Sequence, residues 1–207
     1  MHSRGFTLVE LLVVMTISAI LIAAAVPSFQ WMVARNRVSD ATNLLLSNLE
    51  ATRMEATRRD NAVTLCRVQD PNATPPVCSS AIVGNFDGND WAVGWVMFEK
   101  SGGTNTGAWE VGDTLILRQQ SLAVATPTNT RVTIHTTIPG GERFAYQPRG
   151  TGGTGLGSSF AIDHWAPGAP AAVRPVGSIT LSGAARCIVM TAAIGSMSVK
   201  RPAPSCP

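Results

Sequence analysis

The stretch Gly5-Phe6-Thr7-Leu8-Val9-Glu10-Leu11-Leu12 decides how the chain is read. Before it stands a short basic leader, Met1-His2-Ser3-Arg4. After it, the apolar run continues to Val26, so residues 6–26 are 21 residues interrupted by one carboxylate, Glu10. A helix of that length crosses a hydrocarbon core of about 30 Å. A plain membrane anchor accounts for the length but not for the acid, since a lone carboxylate in hydrocarbon costs on the order of 3 kcal/mol. A secretory signal peptide is a second reading, with Ala23-Ala24-Ala25 as a small-residue cleavage site. Against it, Glu10 lies within the apolar core and the periodic pattern runs on past the supposed cut. The acid needs a partner, and an α-amine at Phe6, freed by cutting after Gly5, would be one, on the same chain or on a neighbouring copy.

Working outward, the helical pattern continues beyond Pro27. Ala34, Val38, Ala41, Leu45, Leu49, Thr52 and Ala56 recur every three or four residues and form one stripe. Arg35, Arg37, Asp40, Glu50, Arg53, Arg58 and Arg59 lie mainly off it. This predicts an amphipathic helix with its apolar face on a domain, stopping near Asp60-Asn61. Pro27 removes a backbone donor and predicts a kink or a local loosening. A continuous helix over residues 6–59 would span about 80 Å, more than one head domain covers. The Arg53, Arg58 and Arg59 cluster reads as favourable charge at a helix C-terminus, with an anion or partner site as the functional alternative.

From Ala62 the period changes to two. Strands are expected over Ala62-Val63-Thr64-Leu65-Cys66-Arg67-Val68, Trp91-Ala92-Val93-Gly94-Trp95-Val96-Met97-Phe98, Thr114-Leu115-Ile116-Leu117-Arg118, Arg131-Val132-Thr133-Ile134-His135, Phe144-Ala145-Tyr146 and Phe160-Ala161-Ile162-Asp163. Residues 176–181, 187–191 and 196–200 follow as further strands. The fold class expected is α+β: a long N-terminal helix, hydrophobic then amphipathic, packed on an antiparallel β head of two sheets. The chain divides into a leader at 1–5, a membrane or assembly half-helix at 6–29, an amphipathic half at 30–60, and a head at 61–207.

Composition agrees with one stem and one domain. The chain has 207 residues, a formal charge of +3 that falls to +2 without Arg4, and 14% charged residues, below the usual quarter. The charge selects no acidic partner. The 19 glycines and 13 prolines favour turns and short strands over a helical bundle. The four cysteines, Cys66, Cys78, Cys187 and Cys206, stand behind a membrane-targeting segment and read as disulfides in an oxidising compartment. Of three possible pairings, proximity favours Cys66 with Cys78 and Cys187 with Cys206. Buried free thiols are the alternative; the absence of a Cys-x-x-Cys pair speaks against zinc.

Gly5-Phe6-Thr7-Leu8-Val9-Glu10 resembles the type III signal of type IV prepilins and type II secretion pseudopilins. The head adds Gly94-Trp95-Val96-Met97-Phe98, Gly112-Asp113-Thr114-Leu115-Ile116-Leu117-Arg118, the glycine-rich stretch 144–160 and Cys187-Ile188-Val189, which resemble the GspH/FimT family of minor pilins and pseudopilins. The resemblance implies cleavage between Gly5 and Phe6 by a membrane prepilin peptidase, methylation of Phe6, and Glu10 as the mature fifth residue. It implies a single-pass inner-membrane protein with a periplasmic head, later built into a fibre. Its partners would be other minor and major pilins or pseudopilins, in a priming or tip complex serving adhesion, twitching motility or DNA uptake. The two rival machines are a type IV pilus, favoured by the disulfide candidates, which resemble FimU-type minor pilins, and a type II secretion pseudopilus.

Other chemistry is thin. Gly150-Thr151-Gly152-Gly153-Thr154-Gly155 matches G-x-G-x-x-G, but a turn and a strand follow where a dinucleotide site needs a helix. Asp87-Gly88-Asn89-Asp90 offers oxygen ligands without completing a calcium loop. His2, His135 and His164 form no catalytic set, and no serine sits in a nucleophile elbow. No enzyme, metal or cofactor is implied. Arg186, Lys200 and Arg201 could touch DNA, but the sequence departs from the Gly-Arg-x-Arg element of DNA-binding relatives, and so few cations supply little phosphate affinity. Trp91 and Trp95 are expected in the core, Trp109 and Trp165 on a partner surface.

Overall fold

A computed structural model describes residues 7–81, 90–102, 107–122, 132–138, 141–150, 152–164, 184–192, 195–201 and 206. One helix, α1 (Leu8–Arg59), fills 52 residues and runs through Pro27, where a kink or loosening is expected, without leaving the helical state. It ends where Asp60 turns into the left-handed region at φ 51°. All seven residues of the anticipated stripe, from Ala34 to Ala56, are buried.

The strands are β1 (Val63–Arg67), β2 (Trp95–Glu99), β3 (Thr114–Gln119), β4 (Val132–Thr136), β5 (Arg143–Tyr146), β6 (Ser159–His164), β7 (Arg186–Met190) and β8 (Met197–Lys200). They form two four-stranded antiparallel sheets, in the orders β3-β2-β1-β5 and β4-β6-β7-β8. Both sheets lie against α1. Val63, Leu65, Trp95, Met97, Phe144 and Tyr146 of the first sheet share a core with Val38, Leu45 and Leu49 of the helix. From the second sheet come Ile134, Phe160, Ile162, Ile188 and Met190. Each large apolar side chain so buried contributes about 1.5–3 kcal/mol.

Strands β1 and β2 are buried on both faces. Alternation turns Cys66, Val68, Val96 and Phe98 away from α1 into a smaller cluster. A loop stapled by the Cys66–Cys78 disulfide, with Cα atoms 5.6 Å apart, helps to cover it. A second disulfide joins Cys187 to Cys206.

One strand expectation is corrected. Residues 91–98 are not a single strand: Trp91–Val93 form a 3-10 turn, Gly94 follows at φ 125°, and β2 begins at Trp95. The Asp90 carboxylate caps this turn through Ala92 N–H at 3.0 Å and also accepts Ile134 N–H of β4 at 2.9 Å. Trp91 donates its indole N–H to Gly141 O and meets the Phe160 ring edge-on at 5.2 Å. The turn therefore ties the first sheet to the second, which a continuous strand could not do. The strand expected at 176–181 lies outside the described residues.

Candidate functional site

The feature that sets this chain apart from an ordinary α+β domain is the front half of α1. Every described side chain from Thr7 to Met32 is exposed, and burial begins only at Ala34. The exposed set includes Leu8, Leu12, Val14, Ile17, Ile20, Ile22, Phe29 and Trp31, with Leu8 80% exposed and Trp31 51%. The head covers none of it, so a row of large apolar side chains several turns long waits for another apolar environment. Among the described residues no helix is long and apolar enough to cross a membrane.

At the start of this segment, Thr7 is the N-cap and its hydroxyl accepts Glu10 N–H at 3.3 Å. Thr7-Leu8-Val9-Glu10 has the Thr-x-x-Glu spacing of a capping box, a local signal that sequence reasoning missed. Glu10 also lies in the first turn, where the helix dipole favours a negative charge. The acid thus has a local structural use in addition to any role between subunits. Gly5 and Phe6 lie outside the described residues.

At the far end of the exposed half, the Arg35 guanidinium lies 5.5 Å from the Trp31 ring centroid. Farther along, the arginines at the end of α1 are occupied within the chain. Arg58 and Arg59 each donate to Glu55 at 2.6 Å, and Arg59 also reaches Glu99 at 2.7 Å. Glu99 accepts from Asn61 as well. Hydrogen bonds from Arg58 and Arg59 hold the Glu55 carboxyl below the usual range, and those from Asn61 and then Arg59 do the same for Glu99. Arg53 lies over the Tyr146 ring at 5.8 Å. This cluster fastens helix to sheet.

The remaining sequence candidates are dispersed. Arg186 donates to the carbonyls of Ala184 and Ala185, and β7–β8 pairing sets Lys200 opposite Cys187. Alternation then puts Lys200 on the opposite face of the sheet from Arg186, so the three cations do not share one face. Asp90 is spent on the turn; Asp87 and Asn89 lie outside the described residues. No group of three His, Cys, Asp or Glu side chains able to hold a metal occurs among the described residues. Trp109 does not stand on an open surface: its ring meets Phe98 edge-on at 5.3 Å in the smaller cluster. Trp165 lies outside the described residues. The glycines at 152–155 form a turn between β5 and β6, with Ala145 N–H bonded to Thr154 O and Gln147 N–H to Gly152 O.

A family described as "Type II transport protein GspH" matches residues 41–193, and a "Prokaryotic N-terminal methylation motif" matches residues 1–26. A "Fimbrial protein EcpC" from Eikenella corrodens is 51% identical over 41 residues, 20% of this chain and 27% of its own length, so the match spans about a quarter of that relative. The type IV minor pilin FimU of Pseudomonas aeruginosa aligns with a TM-score of 0.43 at 16% identity, covering 80% of this chain and 90% of its own.

Proposed function

The chain belongs to the type II transport protein GspH family, and from that premise we propose that it is a minor pilin of a type IV pilus. It is cut between Gly5 and Phe6, methylated at Phe6, held in the inner membrane by residues 6–26 with its head in the periplasm, and then moved into a fibre near the tip. One observation carries the reading: the described side chains of the apolar half of α1 are exposed as far as Met32, while the stripe of the amphipathic half is buried from Ala34. A stem built this way is stable only in lipid or among other stems, and passage from one to the other keeps its apolar surface out of water throughout. The methylation motif at the N-terminus supports a processed, membrane-held stem, and the fimbrial relative supports the pilus.

In the fibre, Glu10 meets the α-amine of Phe6 on an adjacent stem. Two charges buried in an apolar bundle are tolerated only when paired, so a stem displaced along the axis is penalised and the pair sets register. Glu10→Gln keeps the backbone cap from Thr7 and removes the charge. The expected result is a variant that stays in the membrane fraction, is processed, and is lost from sheared pili. Unchanged incorporation would sink the register role.

A second reading, a minor pseudopilin of type II secretion, is favoured by the family's own description. The stem physics is shared. Co-purification separates the two: other minor pilins in one case, secretion components in the other.

A further inference from the structure

The exposed half of α1 changes character before the head begins. Up to Ile22 its large side chains are aliphatic; from Phe29 they are Phe29, Trp31 and Met32, followed by Arg35. Trp31 is half exposed, and Arg35, one turn on, holds its guanidinium 5.5 Å from the indole ring. An apolar ring with a polar N–H beside an exposed cation is the composition found at a membrane–water boundary, where the ring sits at headgroup level. The charge of Arg35 suits an anionic headgroup phosphate there.

The spacing agrees. Glu10 and Trp31 are separated by 21 residues, about 32 Å along a helix, against a hydrocarbon core of about 30 Å. With Trp31 at one boundary, Glu10 reaches the other, where water and headgroups solvate it, so the span before assembly is residues 10–31, about one turn on from the apolar run 6–26. The lone acid then costs little while the chain waits in the membrane. Ala34, the first buried residue, follows directly, so the head stands just clear of the lipid.

We propose that Trp31 and Arg35 form a lipid-interface anchor that binds the headgroup of an anionic glycerophospholipid and fixes the depth of the stem before assembly. This rests on the membrane-held stem argued above and adds which residues set its depth and which lipid they take.

The test uses the full chain in vesicles of phosphatidylethanolamine and phosphatidylglycerol, with quencher-labelled lipids. The chain has four other tryptophans, Trp91, Trp95, Trp109 and Trp165, so the Trp31 signal is the difference in emission between the wild type and Trp31→Phe. That emission should be quenched about twofold more by a label near the headgroup than by one at the chain ends. A labelled phosphatidylglycerol should quench it more than a labelled phosphatidylcholine in the wild type and equally in Arg35→Gln. If the chain floats with the vesicles but Trp31 is insensitive to lipid-borne labels, or is quenched deeply, the anchor is overturned while the membrane-held stem stands. Lack of a phosphatidylglycerol preference in the wild type overturns the lipid assignment. If the chain does not float at all, the membrane-held stem fails and the anchor with it. Loss of pilus incorporation in Trp31→Phe with Trp31 shielded from lipid assigns the surface to a neighbouring stem instead.

Discussion

The ammonium of Lys100 lies 2.8 Å from the Asp113 carboxylate, and both side chains are fully withdrawn from solvent. Lys100 also donates to Ala108 O at 2.7 Å, while Asp113 accepts the backbone N–H groups of Ser101 and Glu110. The pair closes the connection between β2 and β3. Burial pushes the Asp113 carboxyl up, but Lys100 and the two N–H donors outweigh it and hold it below the ordinary range. Removing Asp113 leaves the buried Lys100 ammonium only Glu110, 3.1 Å away and mostly exposed, as a carboxylate partner. Asp113→Ala should therefore cost about 3–5 kcal/mol, whereas replacing both partners with apolar residues of similar volume should cost much less. Urea denaturation of the two variants, compared with a Lys100→Met single variant, measures the difference.

The same carboxylates set an acid limit. Asp113, Glu55 and Glu99 all have folded-state values below their ordinary ones. Unfolded, they bind protons near pH 4, so their contribution is complete above that point and is lost as pH falls through the lower folded values. Thermal stability should hold from pH 7 to about 5 and fall below about 4, with a shallower fall in Asp113→Asn. Tyr146 behaves in the opposite sense. Burial raises its phenol, so its contribution is intact below about pH 10 and is lost above it. Tyr146→Phe should flatten the alkaline limb of the same titration.

Helix α1 offers a matched pair of substitutions. Leu49 is fully buried between helix and sheets, and Met54, just over one turn later, is largely exposed. Leu49→Ala should destabilise the head by about 2–5 kcal/mol, and Met54→Ala by about 0.5 kcal/mol or less. Similar midpoints in chemical denaturation for both would contradict the packing described here.

Gly153 sits at φ 134°, and a Cβ there would collide with the carbonyl oxygen of Ala145. Gly153→Ala should lose about 2 kcal/mol or more through strain at an unfavourable φ together with the clash. At Gly152, by contrast, the nearest atom to a Cβ is the Gln147 side-chain oxygen at 3.0 Å. A flexible side chain can yield there, so Gly152→Ala should cost less in the same denaturation assay.

Each disulfide closes a short loop, with separations of 12 and 19 residues. Removing either by paired Cys→Ser substitution should lower stability by about 3 kcal/mol in the chain-entropy account. The Cys66–Cys78 pair also carries the cover of the smaller cluster, so its loss should expose Phe98 and Trp109 to a dye that binds apolar surface. The Cys187–Cys206 pair should give no such signal.

Much of the architecture was legible because it is written in short windows. The stripe from Ala34 to Ala56 specifies a helix face by its period alone, and all seven members are buried. Gly94 is where local reading failed: the run 91–98 looks like one strand, but a positive φ at Gly94 separates a 3-10 turn from β2. The Thr7-x-x-Glu10 cap is equally local, and its signal is the Thr-x-x-Glu spacing at the start of the apolar run.

The sequence by itself determined the two-part stem: an apolar run, a single acid at its start, and an amphipathic continuation whose stripe must meet a domain. Composition and period suffice for that, because burial of a helix face depends on residues three and four apart. Only the tertiary structure decided which pairs meet across long separations. It brought Asp90 to Ile134, Trp109 onto Phe98, and Arg59 to Glu99, and it turned Arg186 and Lys200 to opposite faces. Those outcomes depend on strand register and on how two sheets share one helix, and no window of neighbouring residues contains that information.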